Sequence, residues 1–168
     1  MKEVLLALEN AIKSENWYGA LIIALVIPDI CSKLETPSEV TNKRYPAWFD
    51  AYKDASYNKH LSGFDCYALR CAYLHEGVSV TEDQSIKEKI DSFSFSPGGC
   101  HLISMSNFNG DKKSSCHLSV KKFCEDMKNS AEKWLQNIQS NQEILNRIKG
   151  MIKIQVRNEF HDGGVSLG

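Results

Sequence analysis

The stretch Ser62-Gly63-Phe64-Asp65-Cys66-Tyr67-Ala68-Leu69-Arg70-Cys71-Ala72-Tyr73-Leu74-His75-Glu76-Gly77 opens polar, turns apolar and stops at a glycine, which is the outline of one helix. Leu61, Phe64, Ala68 and Cys71 recur at helical spacing, and Leu69, Ala72 and Tyr73 widen that stripe, so most of the helix is expected to be packed. Two residues that rarely enter a core unpaired, Arg70 and His75, fall inside this apolar setting. A guanidinium is permanently cationic and carries a rigid fork of donors suited to phosphate, and imidazoles as a class titrate near neutral pH. The two side chains therefore form a plausible chemical unit.

Upstream, Val4, Leu5, Leu8, Ala11 and Ile12 predict an amphipathic helix over residues 2–14, and a second, more apolar helix is predicted from Trp17 to Leu34. The apolar run in that second helix is too short for a bilayer and ends at Pro28-Asp29, so a buried core helix kinked at Pro28 is expected. Asp29, set among Ile27, Ile30 and Cys31, needs a partner, and Arg70 is the first candidate; the plain alternative is a solvated position on the helix. After a loop to Asn42, Arg44-Tyr45-Pro46-Ala47-Trp48-Phe49-Asp50-Ala51-Tyr52 resumes a helical pattern with Pro46 in its first turn. Its aromatic stripe reads as core before it reads as a stacking platform, and Arg44 is either a second phosphate contact or half of a surface ion pair.

Beyond Gly77 the period changes. Residues 90–95 and 100–108, divided by Pro97-Gly98-Gly99, and 114–118, preceded by Asn109-Gly110, predict a small antiparallel β-meander. With few large apolar residues of its own, the segment at about 86–118 is read as an insertion between core helices. Ser119 then caps a helix to about residue 139, and a last helix is expected from Gln142 to about Gln155, with Lys149, Lys153 and Arg157 on one edge. Arg157-Asn158-Glu159-Phe160-His161 imitates the central motif with one residue fewer and runs into a glycine-rich end, where disorder is expected. The fold class is thus mainly α, a helical bundle with a small antiparallel β-meander insertion, in one domain over residues 1–168.

A formal charge of −1 and a pI near 6.5 exclude the broadly basic surface of a dedicated nucleic-acid binder but leave room for a local phosphate site. Met1-Lys2 leads into Glu3 and Glu9, which is unlike a secretory leader, and the expected location is cytoplasmic with no membrane partner. The six cysteines form no Cys-x-x-Cys pair, and reduced thiols are expected. Cys100-His101 and Cys116-His117 fall on neighbouring predicted strands, but adjacent residues point to opposite faces, so no metal and no other cofactor is expected.

Arg70-Cys71-Ala72-Tyr73-Leu74-His75 has the Arg-x4-His form at the end of an apolar helix and so resembles the signature of HEPN domains. The resemblance implies an all-α bundle from a defence, toxin or RNA-processing system. It further implies a homodimer and a metal-independent ribonuclease site, made by Arg70 and His75, together with a cognate antitoxin or regulatory protein as partner. Asp29, Arg44, Tyr73 and Glu76 are the candidate binding positions around that pair. A second reading keeps the fold and drops the chemistry: a helical interaction or ligand-binding module in which Arg70 and His75 are structural. Cys71 and the acidic balance favour the second reading, and the polar pair closing an apolar helix favours the first.

Overall fold

The computed structural model describes residues 1–81, 85–106 and 113–154. In chain order these form α1 (Lys2–Lys13), α2 (Trp17–Glu35), α3 (Thr41–Tyr52), a 3-10 turn (Ala55–Lys59), α4 (Gly63–Cys71) and a π turn (Ala72–Glu76). Strands β1 (Ser92–Ser96), β2 (Ile103–Ser106) and β3 (Ser114–Ser119) follow, and then α5 (Val120–Asn137) and α6 (Gln142–Lys149). The mainly helical class with a small β segment is what the periodicities predict.

Helix α2 is the axis of the bundle. Ala20, Leu21, Ala24, Leu25, Ile27 and Cys31 are buried along it, and it touches α1, α3, α4, α5 and α6. Among the described residues it is the one helix long and apolar enough to cross a bilayer, and its buried face belongs to the core cluster. The helix runs on through Pro28, and the Tyr45 hydroxyl donates to the Leu25 carbonyl in the preceding turn (3.1 Å). That bond satisfies a fully buried phenol and fixes α3 on α2.

Helix α3 starts earlier than its sequence suggests, because the N–H groups of Lys43 and Arg44 both bond to the Val40 carbonyl (3.0 Å each). Pro46 therefore lies inside the helix and not in its first turn. Tyr45, Trp48 and Phe49 are buried, so the aromatic stripe is core. Helix α4 crosses α3 closely at Gly63, whose N–H donates to Asp50 Oδ1 (2.9 Å). A methyl group at Gly63 would stand 2.3 Å from the Pro46 carbonyl oxygen, so only glycine permits the approach.

The sheet departs from the expected antiparallel meander. Its order is β1-β3-β2, with β1 parallel to β3 and β2 antiparallel to it. Phe93 lies opposite Cys116 and Phe95 opposite Leu118, while Ser104 pairs with Cys116 from the other edge. Cys116 and Leu118 are fully buried, so β3 takes the middle, where both of its backbone edges are bonded; the serine-rich β1 and β2 take the edges. The chain crosses from one edge to the other through Gly99 and Leu102, both with positive φ (85° and 57°).

The inserted strands share the core of the helices. Ile90, Phe93, Cys116 and Leu118 belong to the same buried cluster as the helices. Asp65, 1% exposed in the first turn of α4, accepts the Glu88, Lys89 and Ile90 N–H groups at Oδ1 (2.9, 2.8 and 3.1 Å). A few apolar side chains suffice because they complete a shared core.

Helix α6 stops at Lys149 with Gly150 as its cap, short of the expected end. Ile152 and Ile154 beyond it are each 92% exposed, so the basic edge drawn through Lys153 is not helical there. Residues 107–108 of the expected second strand and the Arg157–His161 imitation lie outside the described residues.

Candidate functional site

In an ideal α-helix five residues turn through about 500°, which would leave Arg70 and His75 roughly 140° apart. The chain does not stay α-helical there. Helix α4 ends at Cys71, and residues 72–76 form a π turn in which the Gly77 N–H reaches back to the Ala72 and Tyr73 carbonyls and the Val78 N–H to the Ala72 carbonyl (3.3 Å). Gly77 itself adopts the left-handed conformation (φ 73°) that closes the turn. The wider turn brings residues five apart onto one side, and Arg70 Nη1 stands 2.9 Å from His75 Nε2. The contact is made within one chain, so a second copy is not needed to unite the pair.

Behind the pair lies an ion network on α2 and α3. Arg70 Nη2 donates to Asp29 Oδ2 (2.7 Å), and Arg44 donates to Asp29 Oδ1 from both Nη1 and Nη2 (3.1 Å each). Arg44 also bonds to the Asp29 carbonyl, Ser32 Oγ and Thr41 Oγ1 (3.1, 3.1 and 2.8 Å). With its side chain only 8% exposed, Arg44 is a buried clamp on Asp29 and not the outward phosphate contact considered from the sequence. Asp29 is likewise not on the solvated side of α2, its side chain being 17% exposed.

Two guanidiniums thus share one carboxylate, which leaves the cluster a formal excess of one positive charge beside an exposed imidazole. Burial works against the Arg70 charge, but the Asp29 carboxylate, with Cys71 and Tyr67 nearby, more than offsets it, and the guanidinium pKa is shifted upward. Arginine has no acceptor, so its contact with His75 requires an unprotonated Nε2, and the imidazole proton must sit on Nδ1. The arrangement can present a cation and a proton acceptor, side by side, to an anionic ligand.

Of the other expected positions, Tyr73 is half-buried in the π turn and lines a cleft with Trp17, Tyr18 and Phe95; Glu76 is exposed at the end of the turn. The two Cys-His pairs do not converge: Cys100 is exposed, Cys116 is buried, His101 bonds to Tyr57, and His117 bonds to Ser94 and Ser96. Among the described residues no group of three or more His, Cys, Asp or Glu is placed to hold a metal ion. All six cysteines are free thiols, and burial pushes Cys66 and Cys124 up to about 12.

Two polar constructions escaped sequence reasoning. Asp65 had one local signal, the Ser62-x-x-Asp65 pattern of a capping turn, and Ser62 Oγ does donate to Asp65 Oδ2 (2.8 Å). The second had none. Ser119 N–H donates to His101 Nδ1 (3.2 Å), which leaves Nε2–H to donate to the Tyr57 hydroxyl (3.0 Å), and that hydroxyl donates to Asp126 Oδ2 (3.0 Å). Only the tertiary fold joins these residues.

Compared with protein-family models, curated proteins and solved structures, the chain matches none.

Proposed function

We propose that this chain is a HEPN-like endoribonuclease that cleaves RNA without a metal, through Arg70 and His75. The observation that carries the reading is the 2.9 Å contact between the two side chains at the exposed end of a packed helix. In this scheme the scissile phosphate displaces part of that contact, and Arg70 turns its donors to the non-bridging oxygens, where negative charge grows. His75 Nε2, freed, takes the proton of the ribose 2′-hydroxyl. The 2′-oxygen attacks phosphorus, the 5′-oxygen leaves with a proton, and a 2′,3′-cyclic phosphate and a 5′-hydroxyl result. One imidazole cannot serve as base and acid at the same instant, and a homodimer is part of the proposal: a second His75, released from its Arg70 contact and entering as the imidazolium, gives its proton to the leaving oxygen and ends neutral. Asp29 and Arg44 act by positioning Arg70.

The test is product analysis. A cyclic phosphate end, a 5′-hydroxyl end and complete sparing of DNA of the same sequence are expected, since DNA lacks the internal nucleophile. Products bearing a 5′-phosphate would refute the scheme.

The second reading, a non-catalytic interaction or ligand-binding module, has one observation in its favour. The Arg70 side chain is only 18% exposed and is already paired with Asp29, as a structural cation would be. Intact RNA after prolonged incubation with folded protein would select it.

A further inference from the structure

We infer that the aromatic cleft beside the π turn is a nucleobase subsite, and that it takes an unpaired base of a single-stranded RNA a few nucleotides along from the phosphate held at Arg70 and His75. The inference rests on the reading of that pair as a phosphate-handling site, and it adds what the pair alone does not specify, an unpaired strand recognised by stacking. The cleft encloses about 420 Å³ between Trp17 and Tyr18 at the start of α2, Tyr73 of the π turn, and Phe95 of β1. Tyr18 is 78% exposed, so a large flat ring stands uncovered at the mouth.

Tyr73 belongs to both places: it walls the cleft and lies between Arg70 and His75 in the chain. Helix α2 supplies the other link, with Tyr18 at the cleft and Asp29 under Arg70, about 16 Å apart along the axis. That is the span of a short stretch of extended single strand.

Aromatic walls alone would accept any flat apolar molecule, but one observation narrows the occupant. About 16 Å along α2 from the cleft, two guanidiniums share one carboxylate and leave a positive excess. An aliphatic ligand makes no use of that charge, and free phosphate makes no use of the aromatic walls. A single strand joins flat rings to anions over that distance. A chain net charge of −1 supplies no overall cationic surplus to draw in a duplex backbone, so recognition falls to stacking plus one local cation. A base must leave its own stack to enter the cleft, which selects single strands.

Trp17 is the intrinsic reporter, because it lines the cleft while Trp48 and Trp134 are buried. The full chain is titrated with uncleavable 2′-O-methyl oligonucleotides of U, A and C, and with an abasic strand of equal length and charge. Saturable quenching by at least one of the base-bearing strands is expected, lost in Trp17→Phe, with the abasic strand bound at least about fivefold more weakly. Tyr18→Ala, a change at an exposed ring, should weaken the base-bearing strand about fivefold or more without moving the thermal midpoint. Equal binding of abasic and base-bearing strands, or unchanged affinity in Tyr18→Ala, overturns the base subsite whatever a cleavage assay returns. If Arg70→Gln leaves affinity intact while Tyr18→Ala lowers it, the phosphate reading fails and the cleft alone stands.

Discussion

Asp29 accepts Arg70 on one carboxylate oxygen, at 2.7 Å, and Arg44 on the other, at 3.1 Å. The acid on the central helix thereby fixes the azimuth of the Arg70 side chain, and the π turn brings His75 round to meet it. Neither contribution alone would unite the pair.

Removing that carboxylate leaves two largely buried guanidiniums facing each other. Asp29→Ala is expected to lower stability by about 3 to 5 kcal/mol, read from urea denaturation midpoints. Asp29→Asn should recover part of the loss, since its amide oxygen still accepts. A change under about 0.5 kcal/mol in Asp29→Ala would mean that the network is not formed in solution.

The sheet is expected to unfold with the helices. Leu118→Ala empties a fully buried position and should cost about 2 to 5 kcal/mol in one cooperative transition. Asp65→Ala, which orphans the N–H groups of Glu88, Lys89 and Ile90, should cost about 3 kcal/mol or more and raise their hydrogen exchange first. A variant with residues 86–113 replaced by a flexible linker should lose cooperative thermal unfolding; a sharp transition would show the strands to be dispensable.

Much of this was legible in the sequence, because the signals were local. The stripes of α1 and α5, the apolar run of α2, the stop at Gly77 and the Ser119 cap each depend on neighbours a few residues away. The strand order was not legible: whether β1 pairs with β2 or with β3 depends on which strand is buried on the helices, and a Pro-Gly-Gly turn is compatible with either. The π turn was hidden as well, since an Arg-x4-His spacing reads as out of phase under α-helical rules. Arg44 looked like an outward cation because, apart from Thr41 three residues before it, nothing in its own stretch reveals the Asp29 and Ser32 oxygens folded around it.

Stability should fall in mild acid through His101. Burial, opposed by Asp126 and reinforced by Lys122 and His117, lowers its pKa below the ordinary 6.5. The folded state then holds fewer protons than the unfolded state between that lowered value and 6.5, so the contribution is full above pH 6.5 and is lost as pH falls through the lowered value. Geometry agrees, because Ser119 N–H occupies the Nδ1 lone pair that a second proton would need. Urea midpoints for the native chain should drop between pH 7.5 and pH 5.5 more steeply than those for His101→Gln; parallel curves would remove His101 as the cause.

The most direct measurement is the cleavage rate of single-stranded RNA in excess chelator, for the native chain and for His75→Ala and Arg70→Ala variants shown to be folded. Cleavage by the native chain is expected to persist under chelation and to fall by at least about a hundredfold in each variant. Intact RNA with the native protein, or equal cleavage by all three proteins, would contradict the account.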